Sequence, residues 1–275
     1  MMRNTSATIV RRRWPWLAFV SLLCLPTTFA QSDKSPVEYL EGAITWQQSS
    51  GEARALAYQA FTVARMMLDR DLRINRRNRM RRAVVVDVDE TILDNSRYQA
   101  QGILDRTPHS SQRFTDWVKR AEASAVPGAV EFLRYADSRG VRVFYITNRK
   151  EIEKEGTVIN LRKAGFPRVN NETVLVKPDQ GEGDKEVRRK AVAARYRIVL
   201  LMGDNLNDFA DIFEKSKTVD SRRQATDLNK SEFGRRFIVL PNPMYGDWEG
   251  AIYDYNYRRS DEEKSALRKK VLRGY

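Results

Sequence analysis

The sequence predicts an α/β protein in which helices precede a doubly wound parallel sheet that carries a small cap. Five short apolar runs are continuous and rich in β-branched residues, which is typical of strands buried on both faces. Helical patterns over 128–139, 151–164 and 185–195 separate these runs, and this alternation indicates parallel crossover connections. The predicted strands are Ala83–Val88, Val141–Ile146, Thr173–Val176, Ile198–Met202 and Phe237–Leu240.

Two helices are expected before the first strand, over 36–72. Leu56, Ala60, Val63 and Met67 have helical spacing and predict the apolar face of the second helix. The basic stretch Arg73–Arg82 that follows contains no aromatic residue, which favours a solvated link over a nucleic-acid-binding patch.

The proposed domain organisation is one domain over 31–275. Its core comprises 83–93 and 128–240, residues 94–127 form a cap insertion, and residues 241–275 form a C-terminal extension. A helix over Asp261–Leu272 is expected within that extension.

The first thirty residues have the features of a cleaved export signal. Three arginines at 11–13 precede an apolar run from Trp14 to Leu25, and small residues at Thr28 and Ala30 fit cleavage after Ala30. The run is shorter than the ~20 residues that span a bilayer, so membrane anchoring is not expected. A twin-arginine route and lipidation of Cys24 stay open, and the predicted location is the periplasm.

Composition excludes several kinds of catalytic site. Cys24 and His109 are the only residues of their types, so metal sites that need several histidine or cysteine ligands are ruled out. Removal of residues 1–30, which hold four Arg and no acidic residue, lowers the formal charge from +13 to +9. A positive charge favours anionic substrates by electrostatic steering. Charge alone does not discriminate among an anionic substrate, nucleic acid and an anionic membrane surface. No nucleic-acid partner is expected, because the basic stretch 73–82 contains no aromatic residue.

The residues suited to catalysis follow the predicted strands, where ligands bind in such sheets. Because Asp87 and Asp89 are two apart on a strand, both carboxylates would share one face, which is costly without a neutralising cation. Oxygen ligands favour a hard divalent ion, and Mg²⁺ is the expected cofactor. Carboxylates around a cation, beside a lysine and a threonine, indicate a phosphoryl site. The further candidates at strand or helix ends are Thr147, Asn148, Lys185, Asp204 and Asp208.

Two stretches carry a resemblance to a known family. VVVDVDETILDNSRY (84–98) and IVLLMGDNLNDF (198–209) resemble, nearly residue for residue, signatures of bacterial class C non-specific acid phosphatases, the lipoprotein e type of 5′-nucleotidase. These enzymes belong to the haloacid dehalogenase (HAD) superfamily, whose fold the resemblance therefore implies. It further implies an exported Mg²⁺-dependent acid phosphatase acting on nucleoside 5′-monophosphates, and leaves a homodimer as an open expectation.

The resemblance also implies roles for individual residues. Asp87 would be the nucleophile and a metal ligand, and Asp89 the general acid and base, with its main-chain carbonyl on the metal. Asp204 would bind the metal, and Asp208 would support the metal site or orient Lys185. Thr147, Asn148 and Lys185 would bind phosphate; the competitors for the lysine role are Lys177, Arg188 and Arg189.

Aromatic residues in 94–127 and 241–260 are expected to cover the site. Tyr98, Trp117 and Tyr245 are predicted to stack on the substrate, whereas Phe114 and Trp248 are predicted to be packing anchors. Two alternatives to the phosphatase stay open: a non-catalytic storage or ligand-binding protein of the same fold, and a nucleic-acid end-phosphatase.

Overall fold

The computed structural model of the protein describes residues 36–180 and 183–275. The predicted export signal and Cys24 lie outside the described residues. A short 3₁₀ turn at Glu38–Leu40 opens the described part. The helices that follow are α1 Glu41–Ser49, α2 Gly51–Ile74, α3 Ser96–Leu104, α4 Ser111–Arg120, α5 Ala129–Ser138, α6 Lys154–Ala164, α7 Glu186–Ala193, α8 Asp211–Lys215, α9 Val219–Leu228, α10 Asp247–Gly250 and α11 Asp261–Val271.

Five parallel strands form the central sheet in the order β5-β4-β1-β6-β7, which confirms the predicted fold class. Each predicted strand is present with bounds shifted by up to four residues. The first strand is central, so the segments that follow β1, β4 and β6 lie side by side at one edge. In the part of the chain that the structure describes, the strands are β1 Arg82–Val86, β2 Leu93–Asp94, β3 Ser124–Ala125, β4 Arg142–Lys150, β5 Val174–Lys177, β6 Arg197–Gly203 and β7 Phe237–Val239.

Strand β1 is buried on both faces, as its continuous apolar sequence predicts. Val84 and Val86 belong to the larger hydrophobic cluster, which includes residues of α2 and α5. Ala83 and Val85 belong to a second cluster on the other face. Alternate side chains of a strand point to opposite faces, so both layers of helices pack on the same short strand.

The apolar face predicted for α2 is correct only in part. Ala60 is buried, and Val63 and Met67 are partly buried against the larger hydrophobic cluster, but Leu56 is 40% exposed. The fully buried positions fall mainly on small side chains, because alanine allows the helix to approach the rest of the core closely. The buried residues of α2 are Ala53, Ala57, Ala60, Phe61, Ala64 and Leu68.

Residues 94–127 contain α3 and α4 and are closed at their base by an antiparallel pair of short strands. Leu93 pairs with Ala125 and Asp94 with Ser124. Trp117 and Val118 of α4 belong to the same hydrophobic cluster as β1, so the cap segment packs into the main core. The terminal helix α11 ends one residue before its predicted end. No helix in the described part of the chain has the length and apolar character needed to cross a bilayer.

Candidate active site

A tight loop follows β1 and holds both of its aspartates at the edge of the sheet. The Asp87 amide donates to Met202 O at 2.9 Å, which extends the pairing with β6. Beyond Asp89, the amides of Ile92 and Leu93 both donate to Val88 O and turn the chain back. Glu90 has φ 56°, a left-handed conformation that costs a non-glycine residue free energy.

Carboxylates from β1 and β6 meet because the two strands are neighbours. Asp204 follows β6 directly, and Asp208 ends the 3₁₀ turn Leu206–Asp208. Carboxylate oxygens of Asp87, Asp204 and Asp208 lie within 4.8 Å of one another. Gly203 is required here, since a Cβ at that position would overlap the Asp208 side chain.

Lys185 is the cation that faces this cluster. Its Nζ donates to Asp87 and, at 2.6 Å, to Asp208 Oδ1. Burial alone would lower the pKa of Lys185, but Asp208 and Asp87 outweigh that effect and raise the pKa above its ordinary value. The structure therefore brings together the predicted lysine and two predicted aspartates.

Arg188 and Arg189, two of the competitors for the phosphate-binding role predicted for Lys185, contact other groups. Arg188 donates to Thr147 O at 2.5 Å and to Asn148 Oδ1 at 2.7 Å. Arg189 donates to Glu214 Oε1 at 3.0 Å, and Glu214 also accepts from the Lys185 amide at 3.2 Å. Arg189 and Glu214 thus fix the start of α7, where Lys185 caps the helix, instead of contacting the aspartate cluster.

Asp89 lies beside the cluster and has its own set of donors. Arg149 donates to Asp89 Oδ1 from Nε at 3.0 Å and from Nη2 at 2.8 Å, and Thr147 Oγ1 donates to Oδ2 at 3.2 Å. Burial alone would raise the pKa of Asp89, but the charge and hydrogen bonds of Arg149 lower it below the ordinary value. The pKa values of the two loop aspartates therefore shift in opposite directions, because the pKa of Asp89 is lowered whereas that of Asp87 is raised.

The aspartate cluster carries excess negative charge. Burial, with a contribution from Asp208, raises the pKa of Asp204 to about 7, and burial also raises the pKa of Asp87 well above its ordinary value. Asp204 accepts from Thr91 Oγ1 at 3.1 Å and from Asn242 Nδ2 at 2.8 Å. Buried carboxylates that crowd one lysine form an all-oxygen donor set, which fits a hard divalent cation.

Arg149 and Asn95 were not among the predicted site residues. Asn95 Nδ2 donates to Asp89 Oδ1 at 2.8 Å and to Glu90 Oε2 at 3.2 Å, and both Asn95 and Arg149 are buried. The only sequence signal for Arg149 is its place after Thr147 and Asn148 at a strand end. Asn95 lies in the cap segment, and only its position inside VVVDVDETILDNSRY indicated a role.

Two of the predicted stacking residues are buried, which contradicts that role. Tyr98 is 5% exposed, and its hydroxyl is 2.9 Å from His109 Nδ1. Trp117 is 9% exposed, and its Nε1 donates to Asn95 Oδ1 at 2.8 Å. Their rings are covered by protein, because they anchor α3 and α4 to the core.

The ring of Phe114 is only partly buried, although it was predicted to be a packing anchor. It lies between Tyr98, in edge-to-face contact at 5.4 Å between ring centroids, and the Arg149 guanidinium, 5.7 Å from the Phe114 centroid. Tyr245 is also partly buried, and its hydroxyl donates to Glu90. These two rings, one from the cap segment and one from the C-terminal extension, lie next to the site.

The comparisons with known proteins agree with this geometry. A family model described as HAD superfamily, subfamily IIIB (acid phosphatase), matches residues 26–248. The chain belongs to this family. As an acid phosphatase it is a phosphoric monoester hydrolase, and HAD phosphatases generally use a divalent metal.

Solved structures of class C acid phosphatase from Bacillus anthracis are similar over nearly the whole chain. One is 39% identical with a TM-score of 0.83 and covers 88% of this chain and 100% of its own. A second, with tungstate bound, is 40% identical with a TM-score of 0.82 and covers 86% and 98%. These findings confirm the family resemblance and the predicted fold.

More distant relatives occur in plants. Acid phosphatase 1 of Solanum lycopersicum is 29% identical over 165 residues, which span 58% of this chain and 57% of the tomato protein. The stem 31 kDa glycoprotein of Glycine max is 23% identical over 215 residues, or 76% of this chain and 69% of the soybean protein.

Proposed function

We propose that the protein is an exported, Mg²⁺-dependent phosphatase that hydrolyses nucleoside 5′-monophosphates through an aspartyl-phosphate on Asp87. The observation that carries the proposal is the arrangement of the two loop aspartates. Asp87 lies among carboxylates and contacts Lys185, whereas Asp89 is held apart by Arg149. This arrangement supports the assignment of Asp87 to attack on phosphorus and of Asp89 to proton transfer.

The reaction proceeds in two steps. An Asp87 carboxylate oxygen bonds to phosphorus as the bond from phosphorus to the ester oxygen breaks, and protonated Asp89 gives its proton to the leaving alkoxide. Because Arg149 lowers the pKa of Asp89, this carboxyl group carries the required proton mainly at acid pH. Asp89, now ionised, takes a proton from water, and the resulting hydroxide attacks phosphorus. The bond from phosphorus to Asp87 breaks, so inorganic phosphate leaves and both aspartates are regenerated.

Lys185, which contacts Asp87, is the side chain suited to balancing phosphate charge. We assign phosphate binding to Lys185, Thr147 and Asn148, and metal binding to Asp87, Asp204 and the main-chain carbonyl of Asp89. Asp208 accepts from Lys185 and, through Oδ2, from the Asn205 amide at 3.0 Å, so we assign it to holding the lysine in place. When bound, Mg²⁺ neutralises the carboxylates and polarises the phosphoryl group.

Binding of tungstate to the Bacillus anthracis enzyme supports an oxyanion site in this family. Tungstate, like phosphate, is a tetrahedral oxyanion. We therefore expect tungstate to compete with phosphomonoesters for the same groups in this protein.

Two aromatic side chains favour nucleotides among the phosphomonoesters. Phe114 and Tyr245 present partly exposed rings close to Arg149 and Glu90, which flank the proposed catalytic residues. Stacking of a base on such a ring contributes about 1–3 kcal/mol and tolerates any base. Tyr98 and Trp117 are not part of this proposal because their rings are buried.

Phosphate release from a panel of substrates tests the proposal. The panel comprises nucleoside monophosphates, sugar phosphates, an aryl phosphate and a phosphoprotein, each assayed after chelation and after addition of Mg²⁺. We expect turnover that depends on Mg²⁺ and the highest kcat/KM for nucleotides. Turnover of no substrate would instead support the non-catalytic storage or ligand-binding alternative. Release from the ends of nucleic acids, weakened steeply by salt, would support the end-phosphatase alternative.

A further inference from the structure

We propose that Asn95 and Trp117 are positioning residues that fix the carboxylate of Asp89 through a chain of two hydrogen bonds. Trp117 Nε1 donates to Asn95 Oδ1 at 2.8 Å, and Asn95 Nδ2 donates to Asp89 Oδ1 at 2.8 Å. The chain joins α4 of the cap segment to the loop after β1. It rests on the proposed role of Asp89 as general acid and base.

The indole determines which way the Asn95 amide faces. An indole N–H can only donate, so it requires the carbonyl oxygen of Asn95 on its side. The NH₂ group of Asn95 must then face the opposite side, where Asp89 and Glu90 accept from it. In the reverse orientation, the amide oxygen would face two carboxylates, and the indole N–H would face another donor.

Because Asn95 and Trp117 are buried, the orientation of the Asn95 side-chain amide affects which hydrogen bonds can form. Asn95 is fully buried and Trp117 is 9% exposed, so a broken bond in this chain is not readily replaced by one to solvent. The main-chain N–H of Asn95 also donates to Glu90 Oε1 at 2.9 Å. Asn95 is therefore held by hydrogen bonds from both its side chain and its main chain.

The Asn95 contact completes the set of donors around Asp89. Arg149 contacts both oxygens of Asp89 from one direction, and Thr147 contacts Oδ2. Asn95 is the additional donor to Oδ1, and Arg149 Nη2 also lies 3.5 Å from Asn95 Oδ1. These groups together fix the plane of the carboxylate that transfers the proton, and the Asn95 contact joins it to Trp117 of α4 by hydrogen bonds.

A positioning role and a packing role predict different substrate dependence. Proton donation by Asp89 matters most when the leaving group is a strongly basic alkoxide and least when it is a stabilised phenolate. A misplaced Asp89 therefore impairs hydrolysis of an alkyl phosphate selectively, whereas general loosening of the core impairs both substrates alike. Glycerol 2-phosphate and p-nitrophenyl phosphate are suitable probes, since neither carries a base that could stack.

The test compares kcat/KM for the two probes in Trp117→Phe, Asn95→Asp and Asp89→Asn. Trp117→Phe removes the indole N–H but keeps an aromatic ring, and Asn95→Asp removes the NH₂ donor without a change of shape. Tyr145→Phe is the control, because it removes a different buried donor, the hydroxyl that bonds to Pro167 O at 2.7 Å. Thermal unfolding of every variant shows whether it is folded.

We expect both positioning variants to lower kcat/KM at least about tenfold for glycerol 2-phosphate and about twofold or less for p-nitrophenyl phosphate. Asp89→Asn should show the same selectivity with a larger loss, and Tyr145→Phe should show no selective loss.

The positioning role alone would be overturned if Trp117→Phe and Asn95→Asp lowered kcat/KM equally for the two probes while Asp89→Asn lowered it selectively for glycerol 2-phosphate. An unselective Asp89→Asn would overturn the acid role of Asp89 and, with it, the positioning role. If Trp117→Phe does not fold, the test rests on Asn95→Asp, with the loss of kcat/KM for glycerol 2-phosphate compared with the loss for p-nitrophenyl phosphate.

Discussion

Arg149 Nη2 lies 2.8 Å from Asp89 Oδ1, and Nε of the same guanidinium lies within 3.2 Å of both oxygens of that carboxylate. The arginine is almost fully buried, and its Nη1 donates to Thr157 Oγ1 at 3.1 Å. The guanidinium is therefore held from two sides, so its planar fork fixes the carboxylate as well as balancing its charge.

Replacement of Arg149 by lysine should separate geometry from charge. Lysine keeps the positive charge but cannot contact two oxygens in one plane. We expect Arg149→Lys to lower kcat/KM for an alkyl phosphate about 10- to 100-fold and to lower the free energy of unfolding by about 1–3 kcal/mol. Steady-state kinetics and urea unfolding measure the two effects. Arg223→Lys, at an exposed position, is the control; wild-type kinetics in Arg149→Lys would contradict the interpretation.

Asp87→Asn should abolish turnover and leave the fold intact, because the amide is nearly isosteric but is a poor nucleophile. We expect residual kcat below about a thousandth of the wild-type value. Phosphate release and circular dichroism measure activity and fold. Asp220→Asn, in which an exposed carboxylate is changed in the same way, should behave as wild type. Residual activity above that level would exclude Asp87 as the nucleophile.

Lys185→Met should destabilise the protein, since it leaves Asp87 and Asp208 buried without their shared cation. We expect a loss of about 3–5 kcal/mol in the free energy of unfolding without a divalent ion. Mg²⁺ should restore part of that loss if it binds the same carboxylates. Urea unfolding with and without Mg²⁺ measures both quantities.

The control for Lys185→Met is Lys215→Met, which breaks an exposed ion pair with Asp211. Its free energy of unfolding should stay close to the wild-type value, because solvent screens an exposed ion pair, and should respond to Mg²⁺ as the wild type does. A Lys185→Met variant with wild-type stability would show that the lysine does not balance the cluster.

Asp71 should contribute stability that depends on pH. It accepts from Arg82 Nε at 2.7 Å and from Arg197 Nη2 at 2.5 Å, which ties α2 to the starts of β1 and β6. Burial alone would raise the pKa of Asp71, but the hydrogen bonds from Arg197 and Arg82 lower it. Since the folded pKa lies below the unfolded one, the stabilisation is present at neutral pH and is lost as the pH falls through the folded pKa.

We therefore expect Asp71→Asn to lower the free energy of unfolding by about 1–3 kcal/mol at pH 7. The difference from wild type should shrink as the pH falls below about 4, the ordinary aspartate pKa. Urea unfolding at a series of pH values measures this dependence, with Asp220→Asn as control. A difference that does not change with pH would show that ionised Asp71 is not the stabilising form.

Phe114→Ala and Tyr245→Ala should raise KM for nucleotides more than for a small aryl phosphate, because each removes a ring proposed to stack on the base. A loss of about 1–3 kcal/mol corresponds to a roughly 5- to 150-fold rise in KM where KM reports binding. Tyr245→Phe separates the ring from the hydroxyl that donates to Glu90. Equal effects on both substrates would argue against stacking.

The sequence was sufficient to predict the strands and the acidic groups that follow them. Each strand of the central sheet begins within one residue of its predicted start, because continuous apolar runs and helical periodicity are local properties, whereas the short strands β2 and β3 were not predicted. Asp87, Asp204 and Lys185 meet because parallel neighbouring strands end at one edge of the sheet. Much of the buried face of α2 was missed, since alanine carries little hydrophobic signal although it allows close packing.

The amino-acid sequence by itself determined the fold class, the family and which aspartates lie at the edge of the sheet that carries the candidate site, since these follow from local pattern and strand order. Only the tertiary structure decided what each side chain contacts. Arg149 reaches Asp89 across sixty positions of the chain, and Trp117 is directed into the core towards Asn95. Such contacts depend on how helices pack against the sheet and on which donors lose water, and neither is encoded in the spacing of residues along one segment.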